Sequence, residues 1–175
     1  SFADDITRSV QYIGCKINAI ARHEKHEYPM GCTLTGVVWL ENRSWLVNAG
    51  DSRTYLFRDG IMEQLTVDEV NEDGLLTNYV GGGLDTALAV IEITDKLQNG
   101  DILLICSDGL TDVVNDDYLE YFIMNSTSPA EELVEWAMES GSTDNVSVIA
   151  ARIGGGEFGE FDNLPDDDGR FDAWA

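Results

Sequence analysis

Ile102-Leu103-Leu104-Ile105-Cys106 is the stretch that most restricts what this chain can become. Five consecutive apolar residues, entered from an Asn99-Gly100 turn, read as a strand buried on both faces. The run then meets Ser107-Asp108-Gly109, where a strand cannot comfortably continue. A carboxylate is thereby delivered to the rim of a rigid sheet, and Gly109 lets the chain turn sharply beside it. A strand-end Asp can hold a hard cation; it can equally cap the turn that follows.

The chain around this strand has 175 residues, enough for one domain with a sizeable core. Its apolar runs are far too short to span a bilayer, and Ser1-Phe2-Ala3-Asp4-Asp5 has no signal-peptide character, so the expected location is cytoplasmic. Cys15, Cys32 and Cys106 are odd in number, sit among apolar neighbours and form no C-x-x-C, which predicts buried thiols in a reducing compartment. Charge is more selective. With 10 Lys and Arg against 33 Asp and Glu, the net charge is −23, which repels phosphate backbones and anionic lipid. Nucleic acid and membrane surfaces are therefore not expected partners, whereas a cluster of carboxylates can recruit divalent cations.

Residues 4–26 carry Ile6, Val10, Ile13, Ile17 and Ile20 at steps of four and three, which predicts a helix with one apolar stripe, broken at Tyr28-Pro29. His23 and His26 at its end are three apart, a spacing open to one metal but also that of a solvated helix end. Thr33–Leu40 and Ser44–Ala49 flank Glu41-Asn42-Arg43 as a hairpin, and the second runs into Gly50-Asp51-Ser52-Arg53. Strands at 54–57 and 61–65 turn at Arg58-Asp59-Gly60. Residues 66–83 are polar and glycine-rich, a loop or short flap, and 87–93 form the next strand. Beyond Asp112 the pattern turns helical, first over 116–124. Ser128-Pro129-Ala130-Glu131 then starts a helix that Gly141 ends. The last strand is 146–153. From Gly154 the chain has seven acids, one Arg and scattered aromatics without periodicity, which predicts a disordered acidic tail over 154–175 that binds another protein, behind a domain over 1–153.

Asp108 follows one strand and Asp144 precedes another. If these strands pair antiparallel, both carboxylates reach the same rim, and Asp51, also at a strand end, can join them. Like charges so close repel unless a cation lies between them. Oxygen-only ligation fits Mg²⁺ or Mn²⁺, and two such ions can acidify a water and hold a phosphoryl group for in-line attack.

Gly31-Cys32-Thr33-Leu34-Thr35-Gly36, Asn48-Ala49-Gly50-Asp51-Ser52-Arg53, Gln64-Leu65-Thr66-Val67-Asp68, Gly100-Asp101 through Asp112, and Gly141-Ser142-Thr143-Asp144-Asn145-Val146 resemble, in order, the motifs of PP2C-type (PPM) metal-dependent Ser/Thr protein phosphatases. The resemblance implies an α+β fold of two packed antiparallel β-sheets flanked by helices, a PP2C-like αββα sandwich. It implies Asp108 and Asp144 as ligands of two Mg²⁺ or Mn²⁺ ions, and Asp51 as a ligand of a third, weaker ion. The implied reaction is dephosphorylation of phosphoserine or phosphothreonine in a phosphoprotein by a metal-bound hydroxide, without a phosphoenzyme.

The sequence departs from the family at its front. It holds no D-G-x-G-G, the motif whose Asp bridges both metals, and neither Asp4-Asp5 nor Arg8 has the family's phosphate- and metal-binding context. The fold is therefore expected to be incomplete at the N-terminus, beginning inside the family's first long helix. Three readings follow: a phosphatase represented by an inactive or weakly active fragment, a catalytically dead phosphatase-like binding or regulatory module, or an unrelated acidic sandwich whose motifs are coincidental.

Overall fold

A computed structural model describes residues 1–24, 30–82, 86–155 and Phe158. In chain order its elements are α1 (Phe2–His23), β1 (Leu34–Leu40), β2 (Arg43–Ala49), β3 (Arg53–Arg58), β4 (Ile61–Gln64), β5 (Ala89–Glu92), a 3-10 turn at Thr94–Lys96, β6 (Ile102–Cys106), α2 (Asp108–Thr111), α3 (Asp116–Asn125), α4 (Pro129–Glu139) and β7 (Val148–Arg152). They form two antiparallel sheets, β1-β2-β5 and β4-β3-β6-β7, with helices, an α+β fold. No helix among the described residues is long and apolar enough to cross a membrane.

The chain divides into two compact units. The first comprises Ser1–Ser52 and Thr66–Lys96, the second Arg53–Leu65 and Leu97–Ala175.

In the first unit, β1 and β2 make the expected hairpin, with Leu40 paired to Arg43 and Leu34 to Ala49. β5 pairs with the other edge of β2. α1 meets this unit's core along Ile6, Val10 and Ile17, which pack with Ala49, Val80, Leu34 and Leu88. The line passes over Gly14, where an added Cβ would approach the Gly81 amide nitrogen to 3.3 Å. Ile13 and Ile20, read as part of the same stripe, are about half exposed at 51% and 50%. Steps of four, four and three from Ile6 set the contact line through Val10, Gly14 and Ile17, and 100° per residue carries Ile13 and Ile20 to its flank. Cys15 lies beyond that line and Cys32 on a lone bridge to Val80; both thiols are exposed, and only Cys106 is buried as predicted. His23 closes α1 in an exposed position, whereas His26 and the Tyr28-Pro29 break lie outside the described residues. Residues 66–82 are irregular, tied by single bridges from Val70 to Leu76 and from Cys32 to Val80.

In the second unit, β6 occupies the expected five residues and lies between β3 and β7. Ile102, Leu104 and Cys106 face a core with Tyr55, Phe57, Leu110, Leu119, Ile123, Leu133 and Ala137. Leu103, which alternation turns to the other face, is also fully buried, so the strand is covered on both sides. Each such side chain contributes about 1.5–3 kcal/mol over exposure to water. α4 ends as the sequence indicates. Gly141 has φ +88°, its N–H bonds to Met138 O, and the Ser142 N–H reaches Ala137 O, the paired bonds of a Schellman cap. Helical structure begins earlier than the sequence pattern indicates, at Asp108, because four residues are too few to display a period. Phe158 packs against this core, while the remainder of 156–175 lies outside the described residues.

At the start of β6, Asp101 is buried to 2% exposure. Arg58 at the end of β3 donates from Nε and Nη2 to its two carboxylate oxygens, each at 2.6 Å, and the Gln98 amide adds a third bond at 2.6 Å. The Asp101 carbonyl accepts from Ile153 at 2.8 Å, so one residue joins β3, β6 and the end of β7. A charge this buried is tolerable only when paired and fully hydrogen-bonded. Asp101→Ala should therefore cost about 3 kcal/mol, the lower end of the range for one-sided loss of a buried pair because Arg58 reaches solvent. The check is a urea titration in which the midpoint falls and the slope is unchanged; an unmoved midpoint would remove Asp101 from the stability account.

Candidate metal centre

The antiparallel register of β6 and β7 pairs Cys106 with Val148, so the end of one strand lies beside the start of the other. This is the condition under which Asp108 and Asp144 reach a common rim. Past Cys106 the ladder is extended by Ser107. Its N–H bonds to Ser147 O at 3.0 Å, its hydroxyl donates to Asn145 O at 3.1 Å, and the same hydroxyl accepts from Ser147 N at 3.0 Å. Ser107 is thus spent on the facing segment and gives no side-chain cap to α2.

Gly109 brings the two segments into backbone contact. It is buried, and a Cβ there would fall 2.5 Å from Asn145 O and 3.5 Å from Asp144 Cβ. The first distance is shorter than any real contact, so this position requires Gly for close approach. Ser142 completes the seam by donating to Gly109 O at 2.8 Å. The 142–147 loop is consequently fixed at one end by the α4 cap and at the other by Ser107.

Asp108 and Asp144 flank this contact. Asp108 is the first residue of α2, half-buried, and its Oδ1 accepts from the Gly109 amide at 2.9 Å. Asp108 sits in the first helical turn at the sheet rim, while the N-cap position itself is Ser107. Asp144 is exposed, and its Oδ1 accepts from the Asn145 amide at 2.6 Å. Among the described residues neither carboxylate forms an ion pair, in contrast to Asp101. Nor do three His, Cys, Asp or Glu side chains among them converge as a complete metal-binding group. Two hard carboxylates on locked loops fit an ion such as Mg²⁺ or Mn²⁺, which takes few protein ligands and keeps water in its remaining positions.

Asp51 belongs to the first unit, in a turn held on both sides. Gly50 has φ +113°, and a Cβ there would strike Thr33 Cγ2 at 2.5 Å. The Gly50 amide donates to Glu69 Oε2 at 2.7 Å, and the Ser52 hydroxyl pairs with that of Thr33 at 2.8 Å. Asp51 itself is half-buried.

Sequence reasoning did not find one further feature of the second unit, an open cavity of about 410 Å³ lined by Arg53, Thr111, Val114, Asn115, Asp116 and Asp117. Arg53 donates to the Tyr55 hydroxyl at 3.0 Å, and that hydroxyl lies 3.5 Å from Asp116 Oδ1. Burial pushes the Tyr55 phenol up to about 12, so it stays protonated in the physiological range. Its signal in the sequence was Arg53, the last residue of G-D-S-R, which periodicity cannot distinguish from any strand-edge Arg.

No protein-family model matches the chain. The serine/threonine protein phosphatase PstP of Mycobacterium tuberculosis is 34% identical over 149 residues, covering 75% of this chain and 29% of that protein. Protein phosphatase 2C homolog 1 of Schizosaccharomyces pombe is 28% identical over 174 residues, covering 79% of this chain and 50% of that protein. The chain thus spans half or less of the length of these two relatives. Among solved structures, the catalytic domain of PstP in complex with two manganese ions is 31% identical with a TM-score of 0.70, over 84% of this chain and 69% of that one.

The Gly109 contact is directly testable. Gly109→Ala should destabilise the fold by about 1–3 kcal/mol through overpacking. It should also shift the amide resonances of 142–147 together with those of 107–110. If the 142–147 resonances stay in place, the two segments do not abut at Gly109.

Proposed function

The chain belongs to the PP2C-type (PPM) family of protein serine/threonine phosphatases, and from that membership we propose that it serves in metal-dependent hydrolysis of phosphoserine and phosphothreonine in phosphoproteins, as a cytoplasmic signalling enzyme. The proposed ligands are Asp108 and Asp144 for Mg²⁺ or Mn²⁺, with Asp51 serving a weaker third ion. The observation that carries this reading is the seam at Gly109, which holds the Asp108 and Asp144 segments in register at one sheet rim. The domain proposed for this role is 1–153, followed by the acidic 154–175 segment, whose Phe158 packs against the core of the second unit.

A divalent ion held there supplies Lewis acidity and positive charge against a phosphoryl group. The chain's own contribution is positional. Ser107 and Ser142 fix the two loops by hydroxyl bonds of 2.8–3.1 Å, so neither carboxylate must be ordered when substrate arrives. The Gly109 and Asn145 amides each hold one carboxylate oxygen, orienting the carboxylate plane. In the same unit, the protonated Tyr55 hydroxyl accepts from the Arg53 guanidinium at the wall of the cavity. A cation at that wall is of the charge that attracts an anionic substrate, although Asp116 and Asp117 line the same cavity.

Two carboxylates hold an ion weakly, and the sequence contains no D-G-x-G-G. Loss of one electrostatic contributor can cost about a hundred- to a thousandfold in rate. The 175-residue chain should therefore hydrolyse p-nitrophenyl phosphate near background in millimolar Mn²⁺. Joining it to a segment that carries D-G-x-G-G, or adding that segment as a separate chain, should restore Mn²⁺-dependent turnover, and Asp108→Ala should abolish it again. Robust turnover by the bare chain that survives Asp108→Ala would sink this assignment.

A further inference from the structure

We infer that Glu69 is a positioning residue for Asp51, clasping the Gly50 turn so that the Asp51 carboxylate is held ready for a divalent cation. The inference rests on the reading of Asp51 as a ligand and adds a residue that reading does not include.

The turn that carries Asp51 has little rigidity of its own. Gly50 adopts φ +113°, a conformation that glycine visits freely and other residues resist, so the peptide groups around it need external restraint. Glu69 provides it from both sides. Its Oε2 accepts the Gly50 N–H at 2.7 Å, and its own amide donates to Gly50 O at 3.3 Å. The side-chain bond is the shorter of the two, and it needs only an acceptor oxygen at that reach. Asn48 Nδ2 adds a longer bond to Gly50 O at 3.3 Å. With both peptide groups of Gly50 held and Ser52 tied to Thr33, the direction in which the Asp51 backbone presents its side chain is set from outside the turn.

Glu69 is itself secured. The same Oε2 accepts from Asn78 Nδ2 at 2.7 Å, and Asn78 exchanges two bonds with the Ala87 backbone, at 2.9 and 3.2 Å. The Glu69 carbonyl accepts from the Thr77 amide at 2.7 Å and hydroxyl at 2.8 Å. One carboxylate oxygen thus connects the Asp51 turn to the irregular 66–82 loop. Groups of this kind, bonded to what a ligand hangs from, commonly change metal affinity about ten- to a hundredfold when removed.

The test is Mn²⁺ titration of the 175-residue chain, reading free Mn²⁺ by electron paramagnetic resonance, with amide hydrogen exchange at Gly50 as a second readout. Asp51→Asn should remove the weakest class of Mn²⁺ sites. Glu69→Ala should weaken that class about tenfold or more and speed exchange at Gly50. Glu69→Gln, which keeps an acceptor oxygen at the same reach, should stay near wild type in both. A purely structural role would lower the melting temperature of Glu69→Ala and leave its Mn²⁺ affinity intact, which would overturn the inference. Equal loss in Glu69→Ala and Glu69→Gln would also overturn it, since charge rather than the clasp would then matter. An unaltered titration for Asp51→Asn would refute the ligand reading itself, and the inference with it. Should Glu69→Ala fail to fold, Glu69→Asp, one methylene shorter, is read for the same outcomes.

Discussion

The second unit depends on a single constraint, the antiparallel register of β6 against β7. Cys106 opposite Val148 determines that the exit of one strand and the entry of the other lie side by side. Everything at the rim follows from that pairing. Ser107 can reach Asn145 and Ser147, Ser142 can reach Gly109, and the chain can close to a backbone contact that leaves no room for a Cβ. A slip of one residue would turn Ile102, Leu104 and Cys106 away from the helices and disconnect the loops at once. The core and the candidate site are therefore specified by the same hydrogen-bond ladder.

The two ends of β6 treat a carboxylate in opposite ways. At its entrance Asp101 is buried and fully satisfied by Arg58 and Gln98, which makes it an expensive but closed structural joint. Beyond its exit Asp108 is half-buried, with one oxygen on its neighbour's amide and no ion pair among the described residues. The distinction is one of availability. A neutralised acid in the core holds strands together, while an acid at a rim with Asp144 nearby retains capacity for a cation. Six residues separate a joint from a candidate ligand, and their difference lies in what the surrounding chain supplies.

Asp51 illustrates a third arrangement, in which the acid is held through its neighbours. Gly50 gives the turn its shape, Thr33 meets Ser52, and Glu69 grips the Gly50 amide. In a chain with 33 Asp and Glu, charge alone singles out no acid. Asp51, Asp108 and Asp144 differ from that background because each sits in a turn that other residues hold in place.

Much of this was legible in the sequence because it rests on local chemistry. The apolar run 102–106 specified a strand covered on both faces, Gly141 specified the end of α4, and the spacing of turn residues specified the β1-β2 and β3-β4 hairpins. The order of short motifs marks out Asp51, Asp108 and Asp144. Tertiary structure decided what depends on contacts between distant segments. It left Ile13 and Ile20 of the α1 stripe half exposed and the thiols of Cys15 and Cys32 open, because periodicity gives a face but not the line along which it is covered. It paired Arg58 with Asp101 across 43 positions and brought Glu69 to Gly50 across 19, associations that no local spacing encodes. A side chain's propensity is written in its neighbours along the chain; its partner is chosen only when folding brings remote segments within hydrogen-bond reach.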